Sequence, residues 1–153
     1  MKINMYYFAY GSNIDESQMK DRCGNNCERF DIGILHDYRL TFTKKSKLWK
    51  SPVADIIKVE DDQVLGVLYF VTTSAIKALD LYEGYHHNED YNMYKRITVT
   101  VEIDNKPYKA FTYQSDDPGF DQPANDYLDT IIDAMKENEF PEEYVNKLKK
   151  LKH

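Results

Sequence analysis

Hydrophobic residues at the two-residue spacing of β-strands recur along the chain as far as Tyr113, and helical spacing takes over after that point. The predicted strands cover residues 4–10, 29–42, 53–59, 64–71, 93–103 and 108–113. Three- and four-residue spacings predict helices over residues 14–22, 73–83, 125–137 and 142–151. Strands interrupted by short helices and followed by terminal helices predict an α+β fold, built on a small, mostly antiparallel, barrel-like sheet.

Residues with turn chemistry separate these elements. Glu60-Asp-Asp-Gln63 is predicted to form a hairpin turn, and so is Asp104-Asn-Lys-Pro107. Gly84 is expected to end the second helix. Asn13 is expected to cap the first helix, because its side-chain oxygen can accept from the amides of the first turn. Phe140-Pro141 separates the last two helices.

Length and charge restrict the class of protein. The 153 residues contain no compositional break, which predicts one domain over residues 1–153. A formal net charge of −6 argues against nucleic acid as a partner, because such binding depends on clustered Lys and Arg. Residues 1–10 are too short and too polar for a signal peptide, and no segment approaches the roughly 20 apolar residues of a membrane span. We therefore predict a cytoplasmic protein with no membrane partner.

Two groups of residues could suggest a metal site. Cys23 and Cys27 are the only cysteines, and a single C-x3-C pair lacks the further ligands of a structural zinc site. The doublet His86-His87 falls in a predicted loop, where adjacent side chains rarely point at one ion. We predict two ordinary thiols, a solvated loop and no metal.

The segment Phe8-Ala-Tyr-Gly-Ser-Asn13 joins an apolar strand to a predicted helix. A Gly-Ser-Asn turn in that position leaves several backbone amides free to point at an anion such as a carboxylate. The same residues also suit an ordinary tight turn that ends in an asparagine cap. The motif alone suggests a site without establishing it.

Glu83 lies within Leu79-Asp-Leu-Tyr-Glu-Gly84, at the C-terminal end of a predicted helix. Apolar neighbours and the negative end of the helix dipole both disfavour an ionised carboxyl there. A carboxyl tuned in this way can transfer protons at neutral pH. Position alone does not distinguish it from a solvated residue on a last helical turn.

These two motifs, in this order, resemble those of the gamma-glutamylcyclotransferase family, the AIG2-like group. The resemblance continues through Leu35-His-Asp-Tyr-Arg-Leu-Thr-Phe42, Val64-Leu-Gly-Val-Leu-Tyr69, Asn92-Met-Tyr94 and Lys136-Glu-Asn-Glu-Phe-Pro-Glu-Glu-Tyr144. It thus covers nearly the whole chain. It implies a small barrel with flanking helices, and an enzyme that releases 5-oxoproline from a γ-glutamyl compound without a metal or an organic cofactor.

The resemblance also assigns roles to residues. It makes Glu83 the acid/base residue. It assigns substrate binding to Tyr10, Gly11, Ser12, Asn13, Tyr94 and Tyr127. Each of the last two tyrosines could instead be a half-buried packing residue. The sequence departs from the pattern of the animal enzymes at residues 85–91, which are expected to form a longer loop and bear on both the Tyr94 assignment and the leaving group. Arg39 is better explained as a strand-surface residue paired with a nearby acid than as a substrate clamp.

A γ-glutamyl substrate carries its own nucleophile, since its α-amine can close a five-membered ring on the γ-carbonyl. The protein must then supply a folded substrate conformer and the proton transfers, which we assign to Glu83. The loop amides could hold either the α-carboxylate or the developing oxyanion. The alternatives are the same chemistry on γ-glutamylamines, glutathione or a biosynthetic γ-glutamyl conjugate, and a non-catalytic binding module. A homodimer is also possible, through the aromatic content and the late charged helix.

Overall fold

A computed structural model describes residues 5–46, 50–83, 94–115 and 119–153, with the backbone alone for residues 44–46. The elements are β1 (Met5–Ala9), α1 (Glu16–Cys23), β2 (Cys27–Ser46), β3 (Ser51–Val71), α2 (Thr73–Glu83), β4 (Tyr94–Ile103), β5 (Lys106–Ser115), α3 (Asn125–Glu137) and α4 (Glu142–Lys149). The strands form a closed barrel in the order β1-β3-β2-β4-β5. All neighbours are antiparallel except β1 and β5, whose parallel pairing closes the barrel. The predicted α+β, barrel-like fold is therefore confirmed.

The two strands predicted over 53–59 and 64–71 are one continuous strand, β3, so the predicted hairpin turn at residues 60–63 is wrong. The polar run forms a bulge instead, where the pairing of β2 with β3 passes from His36↔Gln63 to Tyr38↔Lys58. Asp37 and Asp61 take positive φ angles of 66° and 67°. Turn-forming residues can therefore widen a strand pair locally without reversing the chain.

The bulge is held by side chains. The backbone amide of Asp61 donates to Asp37 Oδ1 at 3.0 Å. Arg39 Nε lies 2.6 Å from Asp62 Oδ2, and this pairing lowers the pKa of Asp62. The structure thus confirms Arg39 as a surface residue paired with an acid.

The turn between β4 and β5 is as expected but shorter. Asp104 and Asn105 have φ angles of 50° and 65°, the left-handed pair typical of a two-residue hairpin turn. Lys106 and Pro107 already belong to β5. The predicted strand position Met93 lies outside the described residues, and the remainder of β4 is confirmed.

The helices agree with the prediction except at both ends of α1, which ends at Cys23, and at the end of α4. Asp15, rather than Asn13, caps α1, since its side chain accepts from the amide of Ser17 at 3.0 Å. A short 3₁₀ turn over Ser12–Ile14 precedes α1 and displaces the cap. Helix α4 ends at Lys149. Gly84, the predicted end of α2, lies outside the described residues.

Hydrophobic side chains from the barrel and the helices form the core. The largest fully buried ones include Tyr69, Tyr113, Phe8, Phe42, Ile14, Met19, Leu79, Leu128 and Ile131. Aromatic rings dominate the barrel interior, where Tyr7 contacts Phe111 and Tyr113 at centroid separations of 5.3 and 5.9 Å. None of the helices within the described ranges combines the length and the apolar character needed to cross a bilayer.

Two glycines face each other across β2 and β3 at a crowded part of the barrel wall. Gly33 pairs with Gly66. A Cβ on Gly66 would lie 2.5 Å from the carbonyl oxygen of Ala9 and 2.7 Å from the Phe8 ring. Neither contact can relax cheaply, because the first is to backbone and the second to a fully buried ring.

Gly66→Ala is expected to lower the free energy of unfolding by about 3 kcal/mol or more, by overpacking the β1–β3 contact. Gly119→Ala is the matched control, because a Cβ there meets nothing within 4 Å. Urea unfolding of the two variants measures the difference. Equal stability would contradict the described β1–β3 packing.

Candidate active site

The loop that follows β1 lies at the mouth of the barrel and is fixed from several sides. The Tyr10 hydroxyl donates to the carbonyl oxygen of Tyr113. Asn13 is buried and uses both ends of its amide: Nδ2 donates to the Tyr7 hydroxyl at 3.0 Å, and Oδ1 accepts from Arg22 at 2.8 Å. Gln18 Nε2 donates to Asn13 Oδ1 and to Ser12 Oγ, each at 2.8 Å. Asn13 is therefore a rigid part of the loop rather than a helix cap.

Gly11 allows this loop to pass close to β3. A Cβ at this position would lie 2.8 Å from Ala54 Cβ and 3.5 Å from the Tyr127 hydroxyl. That hydroxyl in turn accepts from the amide of Ala54 at 2.8 Å. The loop, β3 and α3 thus meet at one point.

The amides of the loop form a candidate anion site. The 3₁₀ turn uses the carbonyls of Gly11 and Ser12, which accept from Ile14 and Asp15 at 3.0 and 3.1 Å. Within the part of the chain that the structure describes, the amides of Gly11, Ser12 and Asn13 donate to no protein acceptor. Consecutive amides left free in this way can bind a negatively charged oxygen.

Glu83 is the last residue of α2 and is half-buried. Its pKa is raised to about 7. Desolvation of the carboxyl is the main cause; the positive charge of Arg22 lowers the pKa, and the negative charge of Asp55 raises it. Glu83 therefore changes its protonation state close to neutral pH.

Side chains from β4 and β5 fix the end of α2. Asp80, one turn before Glu83, is buried and accepts from the Tyr113 hydroxyl at 2.6 Å. Arg96 Nε lies 3.7 Å from the same carboxyl oxygen. On the other side, the Arg22 guanidinium lies 4.5 Å from the centre of the Tyr82 ring. These contacts set the position of Glu83 relative to the barrel.

Buried tyrosines surround the Glu83 carboxyl. Burial raises the pKa of each of them, and the negative charge of Glu83 raises it further: they are Tyr7, Tyr10, Tyr94, Tyr113 and Tyr127. Their hydroxyls therefore stay protonated at neutral pH and can donate hydrogen bonds. Tyr94 and Tyr127 are 4% and 3% exposed, so both predicted substrate tyrosines are buried.

Asp55 is a second carboxylate in this region, and the sequence analysis missed it. It is 0% exposed. Its Oδ2 accepts from the Thr43 hydroxyl at 2.6 Å, and Oδ1 accepts from the amides of Ile56 and Ser115 at 2.8 and 3.1 Å. A carboxylate that interrupts the apolar run Val53-Ala-Asp-Ile-Ile57 was the signal that could have identified it.

Other parts of the site also escaped prediction. Tyr7 and Tyr113 looked like ordinary strand residues, and Asp80 like a polar position of α2. Asp80 lies four residues after the buried Ile76 and three before Glu83, so helical spacing places it on the inward face. The structure brings together the predicted residues Glu83, Tyr10, Gly11, Asn13, Tyr94 and Tyr127, with Ser12 half-buried beside them. Residues 84–93, which include the predicted loop 85–91, lie outside the described residues.

Comparison with known proteins agrees with this architecture. The family model of the AIG2-like family matches residues 63–148. The chain is 32% identical to the gamma-glutamylcyclotransferase of Bos taurus over 152 residues, covering 93% of this chain and 76% of that protein. It is also 32% identical to the Homo sapiens gamma-glutamylcyclotransferase over 153 residues, covering 94% and 76%. A solved gamma-glutamyl cyclotransferase structure superposes with a TM-score of 0.86 at 30% identity, covering 96% of this chain and 87% of the other.

Gly11→Ala is expected to destabilise the fold by about 1–3 kcal/mol, because the new methyl group would overlap Ala54 Cβ. Adding Ala54→Gly removes the overlapping atom and should recover part of that loss. Urea unfolding of the single and double variants measures the coupling. Strict additivity would show that the loop does not contact β3 at this point.

Glu83→Gln is expected to stabilise the protein at pH 8 and to have little effect at pH 5. The pKa of Glu83 is about 7 in the folded state and 4.5 in the unfolded state. The wild-type protein therefore loses stability as the pH rises from 4.5 to about 7. The neutral amide avoids this loss, so its advantage grows with pH to at most about 3 kcal/mol. Urea unfolding at both pH values tests this, and a pH-independent difference would contradict the raised pKa.

Proposed function

The chain belongs to the gamma-glutamylcyclotransferase family, a family of enzymes, and on that premise we propose that it cyclises the γ-glutamyl group of a γ-glutamyl amino acid or amide to 5-oxoproline, releasing the amine. The observation that carries this proposal is Glu83, whose carboxyl changes protonation near neutral pH among buried tyrosine hydroxyls. A proton-transferring group is most effective when its pKa lies near the working pH.

The reaction needs no nucleophile from the protein. The α-amine nitrogen of the substrate attacks the γ-carbonyl carbon, and the bond from that carbon to the leaving nitrogen breaks. Glu83 accepts the proton that the α-nitrogen loses and donates it to the leaving nitrogen. The atoms and charges balance, and Glu83 ends in its starting state.

Glu83 is a better candidate for this role than Asp55. Glu83 is half-buried at the end of a helix, where a substrate can reach it. Asp55 is fully buried, and three neutral protein donors hold its carboxylate in place. An acid/base group works best when its pKa lies near the working pH, and the pKa of Glu83, raised to about 7, meets that condition.

Substrate binding is assigned to the loop and the tyrosines. The free amides of Gly11, Ser12 and Asn13 supply donors for a negatively charged oxygen of the substrate. The hydroxyls of Tyr94 and Tyr127 stay protonated because burial raises the pKa of both, so each can donate to a carbonyl oxygen. The substrate would thus be held folded, with its amine toward Glu83.

Glu83→Gln is expected to lower kcat by roughly 10²- to 10⁴-fold, the usual contribution of a positioned acid/base group. The assay measures 5-oxoproline release from a panel of γ-glutamyl amino acids, γ-glutamylamines and glutathione. For the wild-type chain, kcat/KM should fall about tenfold per pH unit below pH 7, because protonated Glu83 cannot accept a proton. The residual rate of Glu83→Gln should lack that dependence.

Glu139→Gln provides the matched control. Glu139 is exposed and lies between α3 and α4, and Glu139→Gln removes the same charge as Glu83→Gln. A near-normal rate for Glu83→Gln would remove the acid/base assignment. No 5-oxoproline from any member of the panel would overturn the proposed reaction and favour a binding module.

A further inference from the structure

Two buried hydroxyls at the end of the β4–β5 hairpin have no partner. Within the described residues, Tyr94 Oη and Ser115 Oγ make no hydrogen bond, although their residues are 4% and 0% exposed. A buried polar group without a partner is unusual in a folded protein and calls for a ligand or a water. Both hydroxyls are therefore candidates to bind a polar group of a ligand.

These two hydroxyls lie on one face of the sheet. Tyr94 and Ser115 are direct partners across β4 and β5, so their Cβ atoms project to the same side. The amide of Ser115 donates to Asp55 Oδ1, which brings the β3 carboxylate to the same place. Burial is the main cause of the raised pKa of Tyr94, and the negative charges of Glu83 and Asp55 raise it further, consistent with a position near both carboxylates.

Asp55 retains acceptor capacity. A carboxylate offers about four lone-pair positions. Two donors, Ile56 N and Ser115 N, occupy Oδ1, whereas Oδ2 accepts from one donor among the described residues, the Thr43 hydroxyl. All three donors are neutral groups, so the negative charge of Asp55 is not compensated by them.

We infer that Asp55, Tyr94 and Ser115 form a subsite that binds the ammonium group of a γ-glutamyl substrate. An ammonium group has three N–H donors, and the subsite offers three acceptors, one from each residue. A positive ligand group suits the field of Asp55 and Glu83, whereas a carboxylate would be repelled. The inference rests on the proposed function only for the identity of the substrate.

The subsite also fits the order of events in the proposed reaction. Asp55 follows Ala54, and the methyl group of Ala54 lies next to Gly11. The loop with its free amides therefore runs beside the part of β3 that carries Asp55. The head group of an α-amino acid has a carboxylate beside an ammonium. The loop amides can bind the carboxylate, and Asp55 beside them can bind the ammonium. The bound ammonium first gives one proton to Glu83, and the neutral nitrogen then attacks the carbonyl carbon and becomes positive again. Asp55 stabilises that charge until the second proton is lost; both protons end on the leaving nitrogen, which departs as an ammonium.

The test compares two ligands that differ only in the amine. They are γ-glutamyl-alanine and glutaryl-alanine, which lacks the α-amine. Calorimetric binding is measured in the full chain carrying Glu83→Gln, so that turnover does not consume the first ligand. The readout is the Kd of glutaryl-alanine divided by the Kd of γ-glutamyl-alanine. A purely structural role of Asp55 would not change this ratio.

Asp55→Asn is expected to reduce this ratio by roughly 10- to 100-fold, the effect of losing a charge-assisted hydrogen bond. Asparagine keeps the size of the side chain and can still accept from the two amides. Ser115→Ala should reduce the ratio by about two- to tenfold, since one neutral hydrogen bond is lost. Thr43→Val is the matched control, because it removes a contact of Asp55 and keeps the charge, so the ratio should persist.

The outcomes separate this inference from the proposed function. An Asp55-dependent ratio without 5-oxoproline release from the wild-type chain supports the subsite and overturns the reaction. Release together with an equal loss of affinity for both ligands in Asp55→Asn overturns the subsite alone. If Asp55→Asn does not fold, an unchanged ratio in both Ser115→Ala and Tyr94→Phe overturns the subsite. Absence of binding by γ-glutamyl-alanine overturns it as well.

Discussion

Closure of the barrel between β1 and β5 is the constraint on which the site depends. Among the described residues, two pairs join these strands in register, Tyr6↔Ala110 and Tyr7↔Phe111. The Thr112 hydroxyl adds a bond of 2.7 Å to the carbonyl of Phe8. Where β1 ends, the chain turns away from the wall, while β5 continues beside β4 and the amide of Ser115 donates to Asp55 on β3. The Gly-Ser-Asn loop and the Asp55 carboxylate occupy the two sides of that opening.

The electrostatics of the mouth follow from its burial. Two carboxylates lie among tyrosines in a region shielded from water, and each charge makes the neighbouring groups harder to ionise. Arg22 offsets part of this effect for Glu83. The result is a group of protonated hydroxyls around a carboxyl that titrates near neutrality. Such an arrangement is costly for an isolated fold and useful where protons are exchanged with a ligand.

The sequence predicted the elements well because hydrophobic spacing is a local property. Helices α2 and α3 agree with it residue for residue, since their apolar faces are set by positions three and four apart. The prediction failed at residues 60–63, because the same polar residues suit both a turn and a bulge. The pairing of β3 with β2 decides between the two. The prediction failed again at Asn13, whose best hydrogen-bond partners, Tyr7 and Arg22, are set by tertiary packing.

The site could be predicted only in part for the same reason. The loop and Glu83 were identified because they belong to motifs with a recognisable family pattern. Asp55, Tyr7 and Tyr113 belong to strands, and nothing local shows that their side chains converge. Asp55 reaches Ser115 across 60 positions of sequence, a distance over which spacing carries no information.

The parallel pairing of β1 with β5 also determines when the site can assemble during synthesis. Tyr10 and its hydrogen-bond partner Tyr113 are 103 residues apart, so a ribosome completes the loop long before it makes the strand that fixes it. The β2–β3 pair, by contrast, joins neighbouring segments of chain. Before β5 has left the ribosome, β2 and β3 can already pair, but the barrel remains open between β1 and β5. The candidate site can therefore assemble only after β5 and α3 have been synthesised.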